Sequence, residues 1–183
     1  MTYTAEIQLR PFRHLLSYVE RTTVSEANYR NSALGLKARQ IGMLGELIAL
    51  EYLDQLHYRP ELVDTTNHDI YCKETGHTID VKTNAYRSEP HENYRCAVWT
   101  DQQNRQIPDE YLFVQLVYRG DSINNWNLRN IHAAYILGTI TYFQFHNNAE
   151  NTGPEYWDQS IDAKRQCKFV RVSDLKAPRS LIP

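Results

Sequence analysis

The run EYLFVQLVY at positions 110–118 limits the architecture of this chain more than any other stretch. It is β-branched and aromatic, holds no Gly or Pro, and is apolar on nearly both faces. A strand of that kind belongs in the middle of a sheet that is covered on both sides. The surrounding pattern supplies further strands and the helices to cover them. Arg59 to Thr65 is a candidate first strand, Cys96 to Trp99 a short one, Ile131 to Leu137 another that ends at Gly138, and Cys167 to Val172 the last. Phe12, Leu15, Leu16 and Val19 recur at helical spacing, and Thr23-Val24-Ser25-Glu26 has the form of a capping box that would open a helical region running, with breaks near Gly35 and Gly42, to His57. A further helix is expected to start within Thr139 to Phe145. The fold class is therefore α/β, a mixed β-sheet flanked by helices. With 183 residues the chain suits a single domain, residues 1–40 forming an N-terminal helical region and 41–183 the core.

Residues 67–83 hold the chemistry. Thr78-Ile79-Asp80-Val81-Lys82-Thr83 alternates apolar with polar, the mark of a half-buried strand. Side chains two apart point the same way, so Asp80 and Lys82 share one face and Ile79 and Val81 the other. An acid beside an ammonium makes a poor core and a good site for a cation and a water. The preceding segment, Asn67 to Lys73, leads through a turn containing Gly76 and should pair with it as a hairpin. A loop of Thr75-Gly76, or of Glu74 to His77, sets Lys73 opposite Thr78, Tyr71 opposite Asp80 and Asp69 opposite Lys82. Opposed residues of an antiparallel pair lie on one face, so Asp69, Asp80 and Lys82 would converge. A slip by one residue would send Asp69 to the other side.

A third acid lies upstream. Residues 41–56 read as a helix with Ile41, Leu44, Gly45, Ile48, Tyr52 and Leu56 on one stripe. Glu46 falls at the border of the stripe beside Gly42, Ala49 and Leu53, whereas Glu51 and Asp54 fall on the far side. Each glycine costs about 1 kcal/mol of helix propensity. Close approach of the helix to a sheet, with Glu46 leaning into the gap, is a reason to accept that cost.

Glu46 in a helix, then Asp69, then Asp80-Val81-Lys82 in the next strand, resembles the PD-(D/E)XK phosphodiesterase superfamily. That group includes restriction endonucleases, Holliday-junction resolvases and phage or archaeal-virus nucleases. The resemblance covers about residues 41–84. Beyond them, Tyr135 to Thr141 and Phe169 to Leu175 look like segments of some viral members. His68 stands where the family name has proline. The resemblance implies a restriction-endonuclease-like core and a Mg²⁺-dependent deoxyribonuclease, an endonuclease, in which Mn²⁺ can substitute. It implies Asp69 and Asp80 as metal ligands, Glu46 as an auxiliary ligand and Lys82 as the catalytic lysine. Hard cations take oxygen ligands and keep several waters, so two carboxylates plus a substrate phosphate suit such an ion.

The net charge of −2 does not advertise a DNA partner, but the distribution is uneven. Between Arg10 and Gln40, Arg10, Arg13, Arg21, Arg30, Lys37 and Arg39 outnumber Glu20 and Glu26. A metal-holding cleft is negative without its ion, and DNA contact would rest on flanking groups: Arg30, Lys37, Arg39, Thr83 and Asn84. Tyr86, Tyr94, Tyr111 and Tyr118 are candidates to stack on bases, packing being the alternative role. Cutting both strands of a duplex would need a homodimer or two binding events. Cys72, Cys96 and Cys167 have an odd count and no metal-type spacing, which favours a reducing cytoplasm, the host's if the chain is viral. His57, His91 and His132 lack zinc spacing, and no apolar run approaches the ~20 residues of a membrane span. Two rivals follow from the same residues: a catalytically inactive DNA-binding or assembly protein of this fold, with Asp80 and Lys82 as an ion pair, and an RNA-directed nuclease.

Overall fold

The computed structural model describes residues 5–8, 13–25, 35–63, 68–99, 107–120, 128–151 and 167–176. In chain order the elements are β1 (Ala5–Gln8), α1 (Arg13–Ser25), α2 (Gly35–Gln55), β2 (Pro60–Leu62), β3 (Ile70–Cys72), β4 (His77–Tyr86), β5 (Arg95–Trp99), β6 (Glu110–Tyr118), β7 (Ile131–Thr141), α3 (Tyr142–Asn148), β8 (Glu150–Asn151) and β9 (Cys167–Arg171). Short 3₁₀ turns occupy Leu128–Asn130 and Val172–Asp174.

Every residue of β6 is buried, as its two-faced apolar pattern requires. It lies inside a six-stranded mixed sheet ordered β1-β7-β6-β4-β3-β2, parallel to β4 and antiparallel to β7. One face packs on α1 and α2. Leu15, Val19, Leu44, Ile48 and Leu53 meet Ile70, Ile79, Val81, Leu112, Val114 and Leu116 there. On the other face Tyr111, Phe113, Val117 and Tyr135 are covered by Phe145 of α3 and by Cys96, Val98 and Val170 of a small sheet ordered β5-β9-β8. The fold class is thus mixed α/β with both sheet faces covered. None of the described helices is long and apolar enough to cross a membrane.

Several boundaries differ from the sequence expectation. The N-terminal region is not wholly helical, because β1 adds an edge strand beside β7. Thr23 opens no helix. It lies in the last turn of α1, buried, its hydroxyl donating to the Val19 carbonyl at 2.6 Å and accepting from Gln40 Nε2 of α2 at 3.1 Å. A tertiary partner on α2 won over the local capping pattern. Gly42 breaks nothing, and α2 runs unbroken from Gly35 to Gln55. Gly138 does not end β7 either. It sits at a bulge with φ of 138°, and a Cβ there would lie 2.6 Å from the Lys176 carbonyl oxygen, so its lack of a side chain lets the Lys176 segment bond to Thr139. Finally, β4 runs on beyond Thr83 through Asn84 to Tyr86. Pairing with β6 along its whole length, from Ile79↔Glu110 to Tyr86↔Val117, supplies the ladder that local propensity lacks.

Candidate active site

The β3–β4 hairpin turns through Lys73 to Gly76, with Gly76 in the left-handed region at φ of 71° and its N–H donating to the Cys72 carbonyl. This loop starts one residue earlier than expected, so Tyr71 pairs with Thr78 and Cys72 with His77. The expected pairs Tyr71–Asp80 and Asp69–Lys82 do not form. The register has slid by two residues, which preserves the face of every side chain. Its consequence is that Asp69, just before β3, comes beside Asp80.

Asp69 is held against β4 just beyond the N-terminal end of β3. Its N–H donates to the Ile79 carbonyl at 3.0 Å, and its Oδ2 accepts from the Val81 N–H at 2.8 Å. The Asp80 carboxyl lies within hydrogen-bonding reach of the Asp69 carboxyl. Asp80 is only 2% exposed. Its counter-charge is Lys82, whose Nζ stands 2.9 Å from Oδ1 and 2.7 Å from Oδ2. The contact to Oδ1 has hydrogen-bond geometry; Oδ2 receives the ammonium's charge without a directed bond. The side chain of Lys82 is itself 16% exposed, so the pair is largely withdrawn from water.

Two structural choices aim these groups. In β4, Ile79, Val81, Thr83 and Ala85 face the helices, while Asp80, Lys82, Asn84 and Tyr86 face the other way, paired in register with Tyr111, Phe113, Gln115 and Val117. The start of β4 is fastened by Asp109, whose Oδ2 accepts from the Thr78 N–H at 2.9 Å and from its hydroxyl at 2.8 Å. The Asp109 carbonyl also accepts from the N–H of Tyr142 at the head of α3. Asp109 does not stand out in the sequence, and Tyr111 does so only as a tyrosine that could stack on a base, because the place of each beside β4 depends on the parallel pairing of β4 with β6, which no local pattern announces. Burial, then the neighbouring Asp80 charge, pushes the Tyr111 phenol up, so it stays protonated beside the acids.

Burial, Asp80 and Glu46, in that order, push Asp69 from its ordinary 3.8 up to about 8. Glu46 is also raised, by burial first and by Asp80 next, against the opposing charges of Lys82 and Arg39. Its helix packs on the opposite face of β4, so it joins the pair through charge. Among the described residues no three His, Cys, Asp or Glu side chains form a ready metal cage. The donor set that a hard cation would meet is therefore the Asp69–Asp80 pair. It fits such an ion in chemistry, because carboxylate oxygens suit a hard cation and Asp80 Oδ2 is buried without a directed hydrogen bond.

Of the expected DNA contacts, Asn84 lies on the Asp80–Lys82 face, and Arg39 is near enough to Glu46 to lower its pKa. Thr83 points the other way. A Cβ at Gly45 would lie 1.9 Å from its hydroxyl oxygen, so Thr83 is an α2 contact and not a substrate contact. Arg30 and the side chain of Lys37 lie outside the described residues.

A pH prediction follows from Asp69. Its folded pKa lies above its unfolded value, so between about pH 4 and pH 8 the folded state holds a proton that the unfolded state has released. Stability of the metal-free protein falls as pH rises through that window, opposite to the usual behaviour of a paired carboxylate. Asp69→Asn keeps an acceptor for the Val81 N–H and removes the titration. Urea titrations at pH 5 and pH 8 should show a smaller stability difference in the variant than in wild type, and equal differences would refute the assignment.

No protein-family model matches this chain, and no curated protein matches it in sequence.

Proposed function

We propose that this chain is a divalent-metal-dependent deoxyribonuclease of the PD-(D/E)XK type, with a restriction-endonuclease-like core. The observation that carries the reading is the meeting of Asp69 and Asp80 across the hairpin, carboxyl to carboxyl, with the Lys82 ammonium on Asp80. Asp69 and Asp80 would hold Mg²⁺ or Mn²⁺, with Glu46 adding negative charge from α2. When bound, such an ion supplies positive charge to the phosphate and acidity to a water.

The chain's own residues do the rest. Asp80 presents its carboxyl on the even-numbered face of β4 beside Asp69, and a phosphodiester would lie over that face. Lys82, whose Nζ stands 2.9 Å from Asp80 Oδ1, would donate to the oxygen on which negative charge builds, or orient the attacking water. Burial of Asp80 strengthens each of these charge interactions. Cutting both strands of a duplex calls for a homodimer or two successive encounters. The free thiols of Cys72, Cys96 and Cys167 accord with a reducing cytoplasm.

The closed Asp80–Lys82 pair is also what a catalytically inactive DNA-binding or assembly protein would show. Incubation of purified protein with DNA and Mg²⁺ or Mn²⁺ separates the two. The nuclease reading requires cutting that disappears in Asp80→Ala and in Lys82→Ala, both still folded by circular dichroism. Wild type that leaves DNA intact, or variants that cut as well as wild type, defeats it. A parallel RNA substrate decides between deoxyribonuclease and RNA-directed nuclease.

A further inference from the structure

Beyond Lys82 the same face of β4 opens into a cavity of about 430 Å³, walled by Asn84 and Tyr86 of β4, by Asn93, Tyr94 and Arg95 leading into β5, and by Phe169 of β9. Its size is that of a small-ligand site. Its chemistry is narrower. Tyr94 stacks on both Tyr86 (ring centroids 5.2 Å apart) and His91 (4.1 Å), forming a run of three rings. On another wall the Arg95 guanidinium lies 4.5 Å above the centre of the Phe169 ring. Asn84 and Asn93 bring side-chain amides, each with donors and an acceptor. No carboxylate is among the lining residues. Of the tyrosines that could stack on bases, Tyr111 and Tyr118 are spent in the core, whereas Tyr86 and Tyr94 line this cavity.

Flat π-faces, an arginine, two amides and no acid match a nucleobase, which stacks by its faces and is read by hydrogen bonds at its edge. Position supports the match. Asn84 follows Lys82 on the same face of an unbulged strand, about 7 Å further along at the usual rise per residue. A strand whose phosphate sits at Asp80 and Lys82 can therefore deliver an adjacent base to the cavity. A base stacked in a duplex cannot enter such a recess.

Resting on the nuclease reading, we infer that the Asn84–Tyr86–Tyr94–Arg95–Phe169 cavity receives an unpaired nucleobase adjacent to the cut, so that the substrate class is DNA with single-stranded or unstacked nucleotides.

The test measures binding apart from cutting. Full-length protein in EDTA is titrated into a labelled single-stranded deoxyoligonucleotide and into an abasic strand of the same length, with the same phosphates. The base-bearing strand should bind roughly five- to 150-fold more tightly, the range expected for one stacked base. Tyr86→Ala should erase that preference and Tyr86→Phe should keep it. Equal binding of the two strands by wild type overturns the inference without using any variant, as does a preference that survives Tyr86→Ala in folded protein. A parallel Mg²⁺ digestion keeps the two readings separate. Cutting without base preference rejects the cavity assignment and leaves the nuclease standing, whereas base preference without cutting rejects the nuclease and leaves a nucleobase site.

Discussion

If the proposed nuclease activity holds, Lys82→Met should abolish DNA hydrolysis, lowering the rate by at least about a hundredfold, the usual loss when one donor to a developing negative charge is removed. Methionine keeps the length and apolar stem of lysine, so the fold of β4 survives and the lost ammonium is isolated as the cause. The same variant has a stability signature. Asp80, 2% exposed, loses its close counter-charge while Asp69 remains in contact with it. Breaking a buried pair by removing one partner costs about 3–5 kcal/mol, part of which the Asp69–Asp80 pair recovers by retaining a proton. A divalent cation that binds the two acids should restore much of the rest. Thermal melts with and without Mg²⁺ should show a larger upward shift in Lys82→Met than in wild type, even though neither melt involves DNA. If the ion shifts neither protein and hydrolysis is unchanged, Lys82 is a structural counter-ion and the proposed activity falls.

Gly45→Ala should be the most destabilising single-methyl substitution in the site's scaffold. A Cβ at Gly45 would stand 1.9 Å from the Thr83 hydroxyl oxygen and 2.7 Å from both Thr83 Cβ and Cγ2. Thr83 is β-branched and held in a strand, so it cannot swing aside, and α2 must back away from β4 along its length. Overpacking of this kind costs about 1–3 kcal/mol, with worse cases known. For a protein of this size 3 kcal/mol corresponds to roughly 6–12 °C in the melting midpoint. Gly42→Ala is the control. Its Cβ would meet little but Glu46 Oε1 at 3.9 Å, an ordinary contact, so the variant should gain up to about 1 kcal/mol of helix propensity. Denaturant unfolding of the two variants should therefore move in opposite directions. A Gly45→Ala protein as stable as wild type would mean that the helix does not approach the strand this closely. Because Glu46 is the next residue, retreat of α2 also takes its charge away from Asp80.

The different fates of these two glycines show where a linear reading stops. Their presence in a helical stripe pointed to a close approach, and one exists, but both carry the same local signal. Which of them makes the contact depends on where Thr83 arrives from a strand thirty-eight residues on. The hairpin behaved likewise. Alternation placed Asp80 and Lys82 on one face, and the turn residues implied that Asp69 would join them. The partner of Asp69 depended on Gly76 taking the left-handed position, one residue from where the loop was expected to close. The error of two in register was harmless because strand geometry repeats every two residues. Thr83 is similar: its polarity alone points to substrate, whereas its position sets it against Gly45 of α2. The strands at Cys96 to Trp99 and Cys167 to Val172 were legible in the pattern, but their pairing into a small sheet, and the cavity it closes, left no local trace.

The chain's own pattern determined that strand 110–118 would be central, that a helix bearing Glu46 would lie near it, and that Asp80 and Lys82 would share a face. Those properties follow from hydrophobic periodicity, which is written locally. Tertiary structure alone decided that Asp69 comes beside Asp80, that Asp109 fastens β4, and that Tyr86 and Tyr94 line a cavity while Tyr111 and Tyr118 are buried. Each of these depends on pairing or packing between segments far apart in the chain, where the energy lies in the contact and neither partner carries it in its own sequence.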